Sequence, residues 1–152
     1  MKKLLFCCLL FLCGVLCAGD ELYRKYPAPT ITKNATFRDA SGRVVGRARR
    51  SGNNVTYYDA VGKVVYTAYQ SGNYVTYRDA SGRQIGTQQI RGNYSTFRDN
   101  TGRHAGSSTT DKNGNTIYRD GSGRHAGSSR SNGRQRTYRD SSGRVSGSSY
   151  SY

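Results

Sequence analysis

The sequence predicts an all-β fold, an antiparallel meander of stacked β-hairpins with about twelve short strands. Three observations lead to this prediction. A motif of about twenty residues occurs six times in register, each copy contains two turn signals, and the segments between turns are rich in Thr, Tyr, Val and Arg with no helical period. One hairpin is only marginally stable, so the hairpins should stack on their neighbours as a single-layer sheet or a β-hairpin solenoid.

An aromatic residue anchors each copy of the motif. The anchors are Phe37, Tyr57, Tyr77, Phe97, Tyr118 and Tyr138. Because side chains alternate along a strand, Val55, Tyr57 and Asp59 should share one face while Tyr58 lies on the other. We therefore expect the anchors to form a ladder of rings along one face of the sheet.

An Asp-x-x-Gly turn follows each anchor. Asp suits the first position of a type I turn, where its carboxylate accepts a backbone N–H, and Gly supplies the left-handed residue that closes the hairpin. These structural turn residues are Asp39, Gly42, Asp59, Gly62, Asp79, Gly82, Asp99, Gly102, Asp120, Gly123, Asp140 and Gly143. The second turn of each repeat is predicted as Gly-Asn in the early repeats and Asn-Gly in the later ones, with a one-residue insertion at 112–115.

The repeats are graded in polarity. The first three carry most of the Val and Ile residues, and the last three replace them with Ser, Gly, Ala and His. We therefore expect the N-terminal half to be better ordered and residues 141–152 to fray.

The N-terminal residues predict export. Lys2 and Lys3 precede an apolar run from Leu4 to Leu16, and small residues follow, which is typical of a secretory signal peptide. The run is shorter than the roughly 20 residues of a membrane span, so no stable span is expected. We predict a signal peptide at 1–18, an extended leader at 19–33 and the six-repeat array at 34–152, with the protein secreted, periplasmic or at the cell surface.

All four cysteines lie in the predicted signal peptide, which leaves the exported chain without disulfides, thiol nucleophiles or cysteine metal sites. Cys17 could instead carry a lipid, although the bulky Leu16 precedes it where such sites usually have a small residue. The sequence leaves lipidation open.

The chain is strongly basic, with a formal net charge of +15. Without Lys2 and Lys3, 22 basic residues remain against 9 acidic ones. Such a surface attracts polyanions, namely nucleic acid, acidic polysaccharide or anionic lipid headgroups. A well-solvated surface with no specific partner is the alternative interpretation.

One row of residues is the candidate ligand-binding surface, because it follows the anchors and should lie on the face opposite them. Its members are Arg38, Tyr58, Arg78, Arg98, Arg119 and Arg139. Arginines at regular spacing, interleaved with tyrosines, suggest a groove for a polyanion or a sugar polymer. Pairing with carboxylates, or solubility alone, would also explain them.

The sequence predicts no enzyme, because a repeat array offers the same residues six times, whereas catalysis needs one unique constellation. The two histidines, His104 and His125, occupy equivalent places in their repeats and could clamp a metal ion. They are better explained as outward residues that replace Val44, Val64 and Gln84 of other repeats. No catalytic residue, metal or cofactor is therefore expected.

The string aromatic-x-Asp-x-x-Gly-Arg/Lys-apolar, best seen in YYDAVGKVV at 57–65, resembles the YD repeats of Rhs-type bacterial surface and toxin proteins. The resemblance covers roughly residues 36–147. It implies β-hairpin sheets that serve as shells or as carbohydrate-contacting surfaces, although six copies are expected to be too few to wrap a closed shell. A weaker similarity, to the choline-binding repeats of cell-wall proteins, lacks the Trp residues on which those repeats depend.

Two functions remain after these exclusions. The first is an exported, non-catalytic module that binds a polyanion or an envelope glycan through an Arg/Tyr-rich face. The second is a structural protein that assembles into β-rich fibres or surface layers through the open edges of its sheet.

Overall fold

The structure, a computed structural model, describes residues 31–152, and within this range twelve antiparallel strands and no helix are present. The predicted signal peptide, Cys17 and most of the predicted leader lie outside the described residues. The strands are β1 (Ala35–Asp39), β2 (Val44–Ser51), β3 (Asn54–Asp59), β4 (Val64–Ser71), β5 (Tyr74–Asp79), β6 (Gln84–Arg91), β7 (Tyr94–Asp99), β8 (His104–Thr110), β9 (Thr116–Asp120), β10 (His125–Asn132), β11 (Gln135–Asp140) and β12 (Val145–Ser151). The predicted all-β, antiparallel, twelve-stranded fold is confirmed.

The sheet is closed, which corrects the prediction of an open meander or solenoid. Each strand pairs with its neighbours in sequence, and β1 also pairs with β12, so that the order around the barrel follows the chain. Six copies therefore suffice to close a sheet, contrary to our expectation about closed shells. A closed sheet of these twelve strands has no open edge, and the edges on which fibre assembly depended are consequently absent from 35–151.

A β-bulge in every repeat accounts for the curvature. In the first repeat Phe37 lies opposite Gly46 and Arg38 opposite Val44, so Val45 is the extra residue. The same register shift recurs in the other five repeats. A bulge bends and twists its strand, and six bulges at one level bend the whole sheet in the same sense until its ends meet.

The anchor aromatics point into the barrel. All six are at most 8% exposed, and the residue that follows each of them points outward. In the strand that follows, five of the six anchors face a glycine, whereas Tyr57 faces Tyr66, whose ring stacks on it with centroids 4.1 Å apart. The predicted ladder of aromatic side chains therefore runs around the inner wall of the barrel.

The polar repeats are as regular as the apolar ones, contrary to our expectation of a frayed C-terminus. β12 pairs with β1 on one side and β11 on the other. The serines of the later repeats also have buried partners: the Tyr118 hydroxyl lies 3.3 Å from Ser129 Oγ, and the Tyr138 hydroxyl 3.1 Å from Ser149 Oγ. Buried hydroxyls that pair in this way cost little, which explains how an array poor in aliphatic residues keeps its core.

The second turns of the first three repeats have the predicted Gly-Asn centre, whereas those of the later repeats differ from the predicted Asn-Gly centre. In the first repeat Ser51 pairs with Asn54, and Gly52 has a φ of 56°, so Gly52-Asn53 forms the two-residue turn with Gly first. The last of these turns is likewise centred on Gly133-Arg134, because Asn132 pairs with Gln135. The predicted Asn132-Gly133 centre is therefore wrong by one residue.

The one-residue insertion builds a seventh Asp-x-x-Gly turn. Gly114 N donates to the Asp111 carbonyl, and the Asp111 carboxylate accepts the backbone N–H groups of Asn113 and Asn115. This turn needs one more residue than the two-residue turn it replaces, which explains why the spacing changes at this point.

Candidate anion-binding surface

The six Asp-x-x-Gly turns of the repeats lie together at one end of the barrel, which we call the Asp rim. In the first, Gly42 N donates to the Asp39 carbonyl, as a type I turn requires. Asp39 Oδ1 accepts the backbone N–H of Ser41 at 2.9 Å, that of Arg43 at 3.0 Å and the Ser41 hydroxyl at 2.7 Å. These carboxylates hold their own turns, as the sequence predicted for them.

Hydrogen bonds to the ionised carboxylate lower its pKa in five of these turns, those of Asp39, Asp79, Asp99, Asp120 and Asp140. The Ser41 hydroxyl, aided by backbone N–H groups, lowers the pKa of Asp39. For Asp79 the hydroxyl of Ser81 is the main cause, and the backbone and side chain of Arg83 add to it, which brings the pKa to about 2. These five carboxylates are therefore ionised at neutral pH and serve as acceptors.

The five predicted arginines share one local interaction. Arg38 Nη1 donates to the Gly42 carbonyl at 2.7 Å, which ties the arginine to the turn four residues ahead. The other four repeat this contact at 2.8–3.1 Å: Arg78 to Gly82, Arg98 to Gly102, Arg119 to Gly123 and Arg139 to Gly143. All five side chains are nevertheless exposed. The arginines thus brace their turns and still present charge to solvent.

Because the sheet closes, this row encircles the barrel instead of lining a groove on one face. We call it the Arg girdle, comprising Arg38, Arg78, Arg98, Arg119 and Arg139. Neighbouring members are two strands apart, about 9.6 Å at the usual strand spacing, except that Arg38 and Arg78 are four strands apart with Tyr58 on β3 between them. Arg38 on β1 and Arg98 on β7 are six strands apart in either direction and therefore lie on opposite sides. A straight polymer could contact two or three members of the girdle at once, not all five.

Tyr58 takes the place of the arginine in the second repeat. Its ring is half-buried, and the Arg49 guanidinium carbon lies 5.9 Å from the ring centroid. A cation at this distance from the face of a ring is within the range of a cation–π interaction. The predicted site residue is thus engaged by a basic side chain of the adjacent strand.

A second set of cations lies at the tips of the same turns. Its members are Arg43, Lys63, Arg83, Arg103, Arg124 and Arg144. In three turns this residue forms an ion pair with the Asp four places earlier, for example Arg83 Nε with Asp79 Oδ2 at 3.0 Å. The arginine side chains in these pairs are 82–83% exposed, so solvent screens the pairs and they add little stability.

The opposite end of the barrel, which we call the Gly-turn rim, has a different charge balance. Of the seven Asp residues within 31–152, six are at the Asp rim and only Asp111 is here. The basic residues at or next to this rim are Lys33, Arg49, Arg50, Arg91, Lys112, Arg130, Arg134 and Arg136. The positive potential of the protein is therefore least compensated by carboxylate side chains at this end.

An open cleft of about 460 Å³ lies at the Gly-turn rim, where the start and the end of the array meet. Thr32, Lys33, Asn34, Arg50, Gly52 and Tyr152 line it. Arg50 Nη1 donates to the Ile31 carbonyl at 2.9 Å, and Asn34 Oδ1 accepts the backbone N–H of Arg50 at 3.1 Å. Arg50 therefore connects the segment before β1 to the wall of the barrel.

The two histidines are far apart. His104 lies opposite Arg98 and His125 opposite Arg119, and both side chains are exposed. Since β9 separates their strands, they are about two strand spacings, or roughly 9.6 Å, apart. Within residues 31–152 no group of three or more His, Cys, Asp or Glu residues has the geometry to hold a metal ion.

Three exposed tyrosines were not predicted as binding residues from the sequence. Tyr69, Tyr74 and Tyr94 are 50%, 56% and 42% exposed, and they lie on the outer wall near the Gly-turn rim. Comparison of equivalent repeat positions could have revealed them. One repeat earlier, the position equivalent to Tyr74 holds Asn54. Because this position faces outward, an aromatic side chain there does not contribute to the core.

The comparisons with known proteins concern the fold alone. No family model matches the chain, and the search of curated proteins gave no match. Among solved structures, the chain is similar to a protein from Arabidopsis thaliana, with a TM-score of 0.55 and 11% identity over 78% of this chain and 80% of that one. A likeness at this identity extends to architecture and not to activity.

Within residues 31–152 there is no helix of the length and apolarity needed to cross a bilayer.

Proposed function

We propose that the protein is an exported, non-catalytic repeat protein that binds a polyanionic or carbohydrate polymer of the cell surface through its basic, tyrosine-containing outer wall. The observation that carries this proposal is the distribution of charge. Residues 31–152 contain 20 basic side chains and 7 carboxylates, and six of those carboxylates accept hydrogen bonds within their own turns at one rim. The outer wall consequently carries a large excess of positive charge.

The Arg girdle suits a repetitive ligand better than a single small molecule. Each arginine is held at one end by the carbonyl of its turn, which lowers the conformational entropy lost when its guanidinium contacts an anion. The spacing of about 9.6 Å recurs from Arg78 through Arg98, Arg119 and Arg139 to Arg38, and Tyr58 interrupts it only on β3. A polymer with regularly spaced sulfate, phosphate or carboxylate groups could engage successive members along this arc.

Binding to dextran sulfate over a range of salt concentrations tests this function. The affinity should fall steeply between about 50 and 200 mM salt, because each contact releases counterions from the polymer. A variant with all five girdle arginines changed to Gln should bind more weakly and with a shallower salt dependence. An affinity independent of salt, or a quintuple variant that binds as the parent does, would contradict the proposal.

A single substitution provides a folding control. Arg98→Tyr reproduces what the chain itself has at Tyr58, so the barrel should tolerate it. Because the girdle offers several equivalent faces, this variant should lose only a small part of the affinity. A large loss would mean that one face of the girdle is the site and not the whole girdle.

The other function expected from the sequence, assembly into fibres, has less support. It required open sheet edges, and every strand between residues 35 and 151 has a partner on both sides.

A further inference from the structure

The exposed tyrosines form a cluster with two polar side chains. We call this cluster the tyrosine patch, and it consists of Tyr69, Tyr74, Gln89, Arg91 and Tyr94. Gln89 lies opposite Tyr74, and its Nε2 donates to the Tyr74 hydroxyl at 2.7 Å. Arg91 Nη2 in turn donates to Gln89 Oε1 at 3.2 Å. The centre of the patch is thus a hydrogen-bonded chain of a guanidinium, an amide and a phenol.

Strand register places the other two tyrosines on either side of this chain. Tyr69 lies opposite Thr76, two residues along β5 from Tyr74 and on the same face. Tyr94, on β7, lies opposite Arg91, on β6. From β4 to β7 the patch spans three strand spacings, about 14 Å, on a wall that the sheet keeps rigid.

The barrel does not require tyrosine at any of these positions. The positions equivalent to Tyr74 and Tyr94 hold Asn54 on β3 and Gln135 on β11. The position equivalent to Tyr69 holds Arg49, Thr109 and Arg130 in other repeats. Because the same backbone accepts polar residues there, the local concentration of three half-exposed rings needs an explanation outside the fold.

The chemistry of the patch favours a sugar polymer over nucleic acid. Tyrosine rings offer flat apolar faces, and the amide and guanidinium offer donors and an acceptor for hydroxyl groups. Arg91 is the single basic residue among the five, whereas single-stranded nucleic acid is held by a groove with many phosphate contacts. The surrounding residues are also polar: Asn54, Ser71, Thr76, Thr96 and Thr109 lie opposite members of the patch.

We infer that the tyrosine patch on β4 to β7 is a polysaccharide-binding site, in which Tyr69, Tyr74 and Tyr94 stack on sugar rings while Gln89 and Arg91 bind their hydroxyl groups. This inference rests on the carbohydrate part of the proposed function and assigns it to residues outside the Arg girdle. Stacking and neutral hydrogen bonds release few counterions, so binding here should change little with salt.

Affinity gel electrophoresis with neutral soluble polysaccharides tests the site. The panel contains hydroxyethylcellulose, dextran, glucomannan and glycol chitin, each cast into a native gel run with reversed polarity. At least one should retard the full-length exported chain. The triple variant Tyr69→Thr, Tyr74→Asn and Tyr94→Asn uses residues that the chain itself has at equivalent positions, and it should lose the retardation. Each single variant should weaken binding by about fivefold or more, by analogy with stacking on nucleic acid bases.

Tyr150→Thr is the matched control. Tyr150 is 49% exposed at the position equivalent to Tyr69, but it lies on β12, four strands from β4 around the barrel. This variant should be retarded as strongly as the parent chain. Equal loss of retardation in Tyr150→Thr would contradict the assignment to the patch.

Other outcomes separate this inference from the proposed function. If no polysaccharide of the panel retards the chain, or if the triple variant is retarded like the parent, the patch is not the site. If the triple variant instead loses binding to oligo(dT), the ligand class is wrong. The proposed function is tested independently with dextran sulfate. If the inference fails in one of these ways, the proposed function still stands when the triple variant keeps salt-dependent binding to dextran sulfate. The same conclusion follows when only the girdle variant loses that binding.

Discussion

Thr36 in the first strand lies opposite Tyr150 in the last, and this pairing belongs to the ladder that closes the barrel. The ladder runs from Ala35 opposite Ser151 to Asp39 opposite Gly147. It joins the first repeat, in the more apolar half of the array, to the last repeat, in the more polar half. The polar end of the array is therefore held on both sides, which an open meander would not provide.

Removal of residues 145–152 should open the barrel. The edges of β1 and β11 would then expose unpaired N–H and C=O groups, which favours edge-to-edge association. We expect the truncated chain to form larger species in sedimentation experiments and to bind thioflavin, and the chain that retains residues 145–152 to remain monomeric. Tyr150→Thr, which keeps the strand, serves as the control. A truncated chain that stays monomeric with an unchanged urea midpoint would show that the closing ladder contributes little.

Gly147→Ala should destabilise the same closure. A Cβ at this position would lie 2.5 Å from the Arg38 carbonyl oxygen, and the φ of 156° adds backbone strain. We expect a loss of about 1–3 kcal/mol in the free energy of unfolding, measured by urea denaturation. Ser148→Ala, one residue further along the strand, should have a much smaller effect. Equal effects of the two substitutions would contradict the steric explanation.

Local features of the fold could be predicted from the sequence, because each depends on residues close in the chain. Asp39 and Gly42 define their turn within four residues, and the alternation of Phe37 and Arg38 decides which side chain is buried. Closure could not be predicted in this way. It depends on small bends at six bulges that add up over the whole array, and no single residue marks them.

The functional surface was predictable only in part, for the same reason. The arginines were found because they recur, but their contacts with turn carbonyls and their arrangement around a barrel depend on the closed sheet. The tyrosine patch was missed because its members depart from the repeat. Tyr69, Tyr74 and Tyr94 come from three different strands, and the register between those strands brings them together.

Acid should destabilise the protein through its turn carboxylates. Asp79 has a pKa of about 2 in the folded protein, against about 3.9 in an unfolded chain. A pKa lowered by folding means that the contribution to stability is complete above the unfolded value and is lost as the pH falls from about 4 to 2. The urea midpoint of the parent chain should therefore decline in this range.

Ser81→Ala provides the specific test of that explanation. The Ser81 hydroxyl, 2.6 Å from Asp79 Oδ1, is the main cause of the lowered pKa. Without it the pKa of Asp79 should rise towards its ordinary value, as measured by NMR titration of the carboxyl carbon. Asp79→Asn should differ from the parent in urea midpoint at neutral pH and converge with it near pH 2. A gap between them that is constant with pH would contradict the role of ionised Asp79.

Alkali should destabilise the protein through its buried tyrosines. Tyr57, Tyr66, Tyr77, Tyr118 and Tyr138 are buried, and burial raises the pKa values of Tyr57 and Tyr118. A pKa raised by folding gives a contribution to stability that is complete below the unfolded value of about 10 and is lost as the pH rises above it. Absorbance at 295 nm should therefore show an ionisation step well above pH 10 that coincides with loss of the β-sheet circular dichroism signal. Tyr118→Phe should reduce the amplitude of this step. Ionisation of Tyr57 and Tyr118 near pH 10, with the sheet intact, would mean that these anchors do not lie inside the barrel.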